Sequence, residues 1–187
     1  GTAPAGGGGG KEEREKTFIA AVSRKASRSD ATGKNAGVLR ASLLETLRVG
    51  AHSIGGIRRV QKPGGWLLRS RGKEYLIPEG SFVGASHFIP NRCGSVYSDP
   101  DGFDPSRWLP GPTSPQTKFN ELEFTTFSHG VHRCAGEWLA MASMEVVLIT
   151  VLSKYNLEAV NLPAVCMERA TLAQRKGACM LKCTERW

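Results

Sequence analysis

The feature that most restricts the fold of this chain is FTTFSHGVHRCAGEWLAMASMEVVL, residues 124–148, in which a cysteine stands just before a long apolar run. Apolar residues recur at helical spacing through 136–153, which predicts a helix with a broad apolar face. Cys134 therefore lies at a helix start, where free backbone N–H groups favour an anion such as a thiolate. Gly130 and Gly136 allow a tight backbone path and the close approach of a flat ligand.

Several chemistries fit this cysteine when only its neighbours are considered. A thiolate in an apolar, glycine-lined loop, with Phe127 as cover and His132 and Arg133 to meet carboxylates, suits the proximal side of an iron porphyrin. A buried structural cysteine is a simpler alternative. A zinc site with His129 lacks an accompanying CxxC or HxxxH set, and a nucleophilic Cys–His pair would need a third orienting group. All of these stay open at this point.

The composition is that of a globular protein with a basic surface. Of 187 residues, 40% are hydrophobic and 22% charged, and the net charge is +8. That charge would suit an acidic partner, an anionic membrane surface or nucleic acid. Five cysteines without a secretory signal favour a reducing compartment over a disulfide framework, and no apolar run is long enough to span a membrane.

The chain divides into a lead-in and an ordered region. Residues 1–35, Gly-rich and then charged, predict a flexible lead-in with a marginal helix around 18–22, and 36–187 form the ordered region. Apolar spacing predicts a helix over VLRASLLETLRV, residues 38–49. The other expected elements are strands at 57–60 and within 74–86, a basic loop at 61–73, irregular structure through 98–118, and small strands or coil after 153.

The string FSHGVHRCAG resembles F-x-x-G-x-H/R-x-C-x-G, the heme-binding loop of the cytochromes P-450, a pattern specific enough that chance rarely produces it. Further marks follow in the order of that family. Glu45-Thr-Leu-Arg48 resembles its Glu-x-x-Arg helix, and YLIPEGSFVGAS resembles its Y-x-I-P-x-G-x-x-V hairpin. SDPDGFDP resembles its D-P-x-x-F-x-P run, and FDPSRWL its P-x-R-F-like segment. HRCAGEWLA is most similar to sterol 14α-demethylases and other microsomal types.

The resemblance implies roles for individual residues. Cys134 would be the axial thiolate of the iron in heme b. His132 and Arg58 would meet heme propionates, with Arg59 as the substitute for Arg58. The full set of implied cofactor-binding residues is Phe127, Gly130, His132, Gly136 and Arg58.

A second implied group has a structural role and no catalytic one. Glu45, Arg48 and Arg107 would form a buried ionic triad between the Glu-x-x-Arg helix and the FDPSRWL segment. Breaking such a buried charge group typically costs about 3–5 kcal/mol, because one ion is left without a partner.

The implied fold is mainly α with a small antiparallel β element, as in the C-terminal heme-binding part of a cytochrome P-450. The implied activity of the complete protein is that of a monooxygenase, which activates O2 and hydroxylates a lipophilic organic substrate. Electrons would come from a reductase or a ferredoxin-type partner. The implied location is the cytosolic face of the endoplasmic reticulum membrane, through an N-terminal anchor. Nucleic acid is not an expected partner, although residues 58–73 hold six cations, no acid and Trp66.

The sequence also departs from the family pattern. VGAHSIGG at 49–56 replaces the usual Pro-Pro turn, and 61–73 is longer than the usual connection. The acidic-Thr motif of the oxygen-activating helix, expected before Glu45, is not found in 1–44. We therefore expect the chain to be the C-terminal part of a longer protein, a truncated gene product or a degenerate paralogue. An inactive remnant or a basic interaction module is the alternative function.

Overall fold

A computed structural model describes residues 34–50, 54–109, 124–163, 165–166, 174–175 and 177–186. The predicted helix around 18–22 and the stretch 110–118 lie outside the described residues, as does nearly all of the predicted lead-in. The helices in the described part are α1 (Lys34–Gly50), α2 (Phe88–Asn91) and α3 (Glu137–Lys154), with 3-10 turns at Pro105–Trp108 and Gly130–His132. The strands there are β1 (Ile54–Arg59), β2 (Trp66–Ser70), β3 (Lys73–Ile77), β4 (Phe82–Ser86), β5 (Tyr155–Asn161), β6 (Val165–Cys166), β7 (Gln174–Arg175) and β8 (Met180–Glu185).

The two long helices agree with the sequence-based predictions within a few residues. α1 ends at Gly50, the kind of residue that commonly terminates a helix. α3 begins directly after the loop of Cys134 and leads without a break into β5. The described strands form four antiparallel pairs: β1 with β4, β2 with β3, β5 with β8, and β6 with β7.

The strand pairing differs from the hairpin expected in YLIPEGSFVGAS. β3 and β4 flank the predicted Pro-Glu-Gly turn, but they are not partners, because β4 pairs with β1 and β3 pairs with β2. The prediction of a basic loop at 61–73 is also wrong, because that stretch contains β2. Arg71 and Gly72, with φ of 50° and 73°, make the two-residue turn to β3. Positive φ at both positions suits the right-handed twist of a tight hairpin.

The buried centre of the described part lies along one face of α1. Leu39, Ala41 and Leu43 are buried there, and α1 contacts the turn Pro105–Trp108 more extensively than it contacts α3. The indole of Trp108 is buried and meets the ring of Phe124 edge-on, with centroids 4.9 Å apart. This packing brings the residues just before the Cys134 loop against the C-terminal half of α1.

Helix α3 is apolar on nearly every side. Within it, Met141 and Leu152 are buried, whereas Trp138 is 81% exposed and Leu139 is 67% exposed. A helix that is hydrophobic all round is typical of the interior of a large domain. No helix in the described residues is long and apolar enough to cross a membrane.

Candidate functional site

The Cys134 loop is closed by its own backbone hydrogen bonds. The amide of Cys134 donates to the carbonyl of Phe127 at 2.8 Å, and the amide of Ser128 donates to the carbonyl of Thr125 at 2.8 Å. Ser128 and Gly130 have φ of 59° and 65°, so the chain reverses direction twice within the loop. The result is a free cysteine whose side chain is exposed at the mouth of the loop.

The two glycines of the loop contribute in different ways. A Cβ at Gly130 would meet nothing within 4 Å, so the glycine is needed there for its positive φ. Gly136 has an ordinary φ of −89°, and a Cβ there would lie 3.9 Å from Sγ of Cys134. Gly136 therefore keeps free space directly beside the sulfur.

The arginine next to the cysteine is already paired. Arg133 Nε and Nη2 donate to the two carboxylate oxygens of Glu137 at 2.6 and 2.9 Å. These hydrogen bonds from Arg133 hold the pKa of Glu137 below its ordinary value, although partial burial acts in the opposite direction. His132 and Arg133 are both exposed, but within the described residues His132 has no such carboxylate partner.

A cleft of about 460 Å³ borders the cysteine on the α3 side. Two ion pairs line it: Arg133 with Glu137, and Arg40 of α1 with Glu145 of α3, whose Nη1 and Oε1 atoms lie 2.8 Å apart. The charged side chains that line the cleft are therefore paired with opposite charges. Trp138 also lines the cleft.

Glu45, Arg48 and Arg107 lie together in the buried centre. Glu45 receives hydrogen bonds from Arg48 at 2.8 and 2.9 Å, from Arg107 Nε at 3.3 Å, and from the indole of Trp108 at 2.9 Å. The amide of Asp104 donates to it as well, at 2.9 Å. The motifs did not indicate the Trp108 contact, although a tryptophan where the family pattern has phenylalanine supplies an additional N–H donor.

Every donor of the Arg48 guanidinium has an acceptor. Besides Glu45, Arg48 donates to the backbone carbonyls of Asn91, Pro100 and Gly102 at 2.8, 2.6 and 2.8 Å. Its guanidinium also lies over the ring of Tyr97, 4.8 Å from the centroid. Complete pairing of this kind is what makes a fully buried arginine tolerable.

Arg58 and Arg59 are neighbours on β1 and therefore point to opposite faces of that strand. Both are exposed, and both border an apolar cavity of about 470 Å³ that Trp66 and Val83 also line. Arg58 Nη1 donates to the carbonyl of Ile57, so its guanidinium folds back over its own strand. Neither arginine is hydrogen-bonded to the Cys134 loop within the described residues.

The structure weighs against the other chemistries considered for Cys134. Among the described residues no group of three or more His, Cys, Asp and Glu side chains is arranged to hold a metal ion, which leaves zinc without support. The thiol has no histidine hydrogen-bond partner in that part of the chain, and His129 Nε2 instead lies 2.9 Å from the carbonyl oxygen of Phe124. Exposure of Cys134 also argues against a buried structural cysteine.

The chain is similar to known proteins over much of its length. The family model for cytochrome P-450 matches residues 20–182. The chain is 31% identical over 126 residues to cytochrome P-450 monooxygenase apf7 of Gibberella fujikuroi, which covers 67% of this chain and 24% of that protein. It is 32% identical over 90 residues to sterol 14-demethylase of Arabidopsis thaliana, covering 48% of this chain and 18% of the relative.

A solved structure supports the same fold. A retinoic acid-bound cyanobacterial cytochrome P-450 matches with a TM-score of 0.71 and 19% identity, over 92% of this chain and 39% of the solved one. The fold class predicted from the sequence is thereby confirmed. The chain spans about a quarter or less of the length of these curated relatives.

Proposed function

This chain belongs to the cytochrome P-450 family of heme-dependent monooxygenases, and we propose that Cys134 supplies the thiolate ligand of the heme b iron. The observation that carries the proposal is an exposed thiol at the start of α3, in a loop closed by the Cys134–Phe127 hydrogen bond and left open on one side at Gly136. A soft thiolate beside space for a flat ring is a donor arrangement that suits heme iron.

The residues around the sulfur fit that cofactor. Cys134 lies just before the N-terminus of α3, and the half-buried Phe127 provides an apolar neighbour. His132 and Arg58 are exposed and are assigned to the heme propionates, with Arg59 as the substitute. Because Arg133 is held by Glu137, we assign it no propionate. When bound, heme would supply the activation of O2 and the transfer of one of its oxygen atoms to a substrate, while Cys134 would hold the iron.

The complete activity is proposed for a protein longer than this chain. It would hydroxylate a lipophilic substrate with electrons from a reductase or ferredoxin-type partner, at the cytosolic face of the endoplasmic reticulum membrane. The match to a sterol 14-demethylase supports this class of protein. Since the chain spans 24% of the apf7 monooxygenase, we expect heme binding, and not substrate hydroxylation, from the chain alone.

The test is an absorbance spectrum of the chain after heme loading, reduction with dithionite and addition of carbon monoxide. We expect a strongly red-shifted Soret band that disappears in Cys134→Ala. Cys93→Ala and Cys179→Ala serve as matched controls, because both residues are free cysteines outside the loop. A red-shifted band that survives Cys134→Ala would refute the ligand assignment, and a chain that takes up no heme would be the inactive remnant.

A further inference from the structure

We infer that Asn91 is a positioning residue for the Cys134 loop, an inference that rests on the proposed role of Cys134 as the heme ligand. Asn91 ends the short helix α2 and has no solvent-exposed surface. A buried amide costs free energy unless its polar atoms are paired, so its hydrogen bonds show what it holds in place.

Both ends of the Asn91 amide contact the segment that leads into the loop. Its Oδ1 accepts from the backbone amide of Thr125 at 3.0 Å, and its Nδ2 donates to Oγ1 of Thr126 at 2.8 Å. The orientation of the amide is fixed by chemistry, because a backbone N–H can only donate and must therefore face the oxygen. Asn91 thus holds two consecutive residues through the two polar atoms of one rigid group.

The held segment is the base of the loop. The carbonyl of Thr125 accepts from Ser128, and the carbonyl of Phe127 accepts from Cys134. A shift of Thr125 and Thr126 would move both acceptors and with them the backbone that carries the sulfur. Hydrogen bonds to the backbone that carries a metal ligand orient that ligand even though they do not touch the metal.

On its other side Asn91 is joined to the ionic cluster of α1. Its backbone carbonyl accepts from Arg48 Nη1 at 2.8 Å, and Arg48 holds Glu45 by two further bonds. A continuous path of hydrogen bonds therefore runs from Glu45 through Arg48 and Asn91 to the base of the loop. The ionic cluster therefore helps to position the Cys134 loop through this path, in addition to stabilising the fold.

The first readout needs no heme. Hydrogen–deuterium exchange followed by mass spectrometry should show roughly tenfold faster exchange in peptides from 124–134 of Asn91→Ala, because a buried hydrogen-bonding group left unpaired shifts a local opening equilibrium by about that factor. Asn91→Asp should also speed exchange there, because it replaces the donor to Thr126 Oγ1 by an acceptor and buries a carboxylate. Leu152→Ala, which truncates a buried side chain near the C-terminal end of α3, is the control for general destabilisation.

The second readout is the absorbance spectrum of the heme-loaded chain after reduction and addition of carbon monoxide. Asn91→Ala should lose at least half of the thiolate-type band to an unshifted band, whereas Leu152→Ala of similar thermal stability should retain it. If Asn91→Ala fails to fold, Thr126→Val removes the Nδ2 contact together with the longer hydrogen bond from Thr126 Oγ1 to the carbonyl of Leu47, and it should show the same two changes at smaller size.

Each outcome decides the inference. Equal exchange in 124–134 for the parent and Asn91→Ala, or equally faster exchange throughout the chain for Asn91→Ala and Leu152→Ala, would overturn it. If the parent takes up no heme, the proposed function fails, while the exchange experiment still decides the role of Asn91.

Discussion

Within one turn of α1, Arg48 donates two hydrogen bonds to the carboxylate of Glu45, from Nη2 to Oε1 at 2.8 Å and from Nε to Oε2 at 2.9 Å. Neither side chain is exposed to solvent. Because water solvates neither ion, the pair is stable only with its remaining hydrogen bonds filled. Arg107 and the indole of Trp108 fill those of Glu45, and these two residues come from a segment about sixty positions further along. The pair therefore joins α1 to the turn Pro105–Trp108 as well as closing a helical turn.

Glu45→Gln should destabilise the chain by about 3–5 kcal/mol. The substitution keeps the shape of the side chain but removes the negative charge that Glu45 presents to the buried Arg48 and Arg107. Urea unfolding followed by circular dichroism measures the change. Glu74→Gln is the matched control, because it removes the carboxylate of the exposed pair with Arg69 and should cost less than about 1 kcal/mol. Equal losses for both variants would contradict the prediction.

Substitution of the two loop glycines by alanine should affect two different properties, stability at Gly130 and heme affinity at Gly136. Gly130→Ala forces a side chain into φ of 65° and should cost about 1–2 kcal/mol of stability without heme. Gly136→Ala carries no such strain, and removes the space beside Sγ of Cys134. It should lower heme affinity while changing stability by less than about 1 kcal/mol. Unfolding curves and heme titrations separate the effects, and unchanged heme affinity in Gly136→Ala would count against the site.

The assignment of a propionate partner to Arg58 is testable against its neighbour. Arg58 and Arg59 alternate along β1 but border the same apolar cavity, so substitution of each one is needed to separate their roles. Arg58→Ala should weaken heme binding about tenfold, as expected for a charge-assisted hydrogen bond, and Arg59→Ala should leave it unchanged. Heme titration of both variants decides, and the reverse result would transfer the role to Arg59.

His87 should make stability fall as the solution becomes acidic. Burial lowers the pKa of His87 below 6.5, and the nearby His129 lowers it further. The unfolded chain then binds the proton more readily than the folded one, so stability is complete above pH 6.5 and declines as the pH falls below that value.

Urea midpoints between neutral and mildly acidic pH measure that decline. His87→Gln should flatten it, because glutamine can still meet the Thr125 hydroxyl that lies 3.0 Å from His87 Nδ1 but carries no proton-binding ring nitrogen. A slope that His87→Gln does not alter would show that another group titrates.

The parts of the fold that were predicted correctly depend on local patterns. α1 and α3 show apolar spacing along uninterrupted segments, and the Cys134 loop contains its own signature within ten positions. Such signals do not require knowledge of what packs against what.

The parts that were missed depend on contacts between distant segments. The Pro-Glu-Gly sequence predicted a turn between β3 and β4. It did not indicate that β4 pairs with β1 instead of β3. β2 was mistaken for a loop because its apolar run lies between cations, without the alternation of a half-buried strand. Asn91 gave no signal at all, since its importance comes from Thr125 and Thr126, more than thirty positions away.

The contacts that fix the base of the Cys134 loop carry a kinetic consequence. The hydrogen bonds of Asn91 to Thr125 and Thr126 join residues 34 and 35 positions apart in the sequence. The hydrogen bond from the Thr126 hydroxyl to the carbonyl of Leu47, at 3.5 Å, joins residues 79 positions apart. Contacts of long sequence separation repay their loop-closure entropy only after the intervening chain is ordered. We therefore expect the cysteine to reach its final place late in folding, with heme captured by an assembled scaffold and not by a nascent chain.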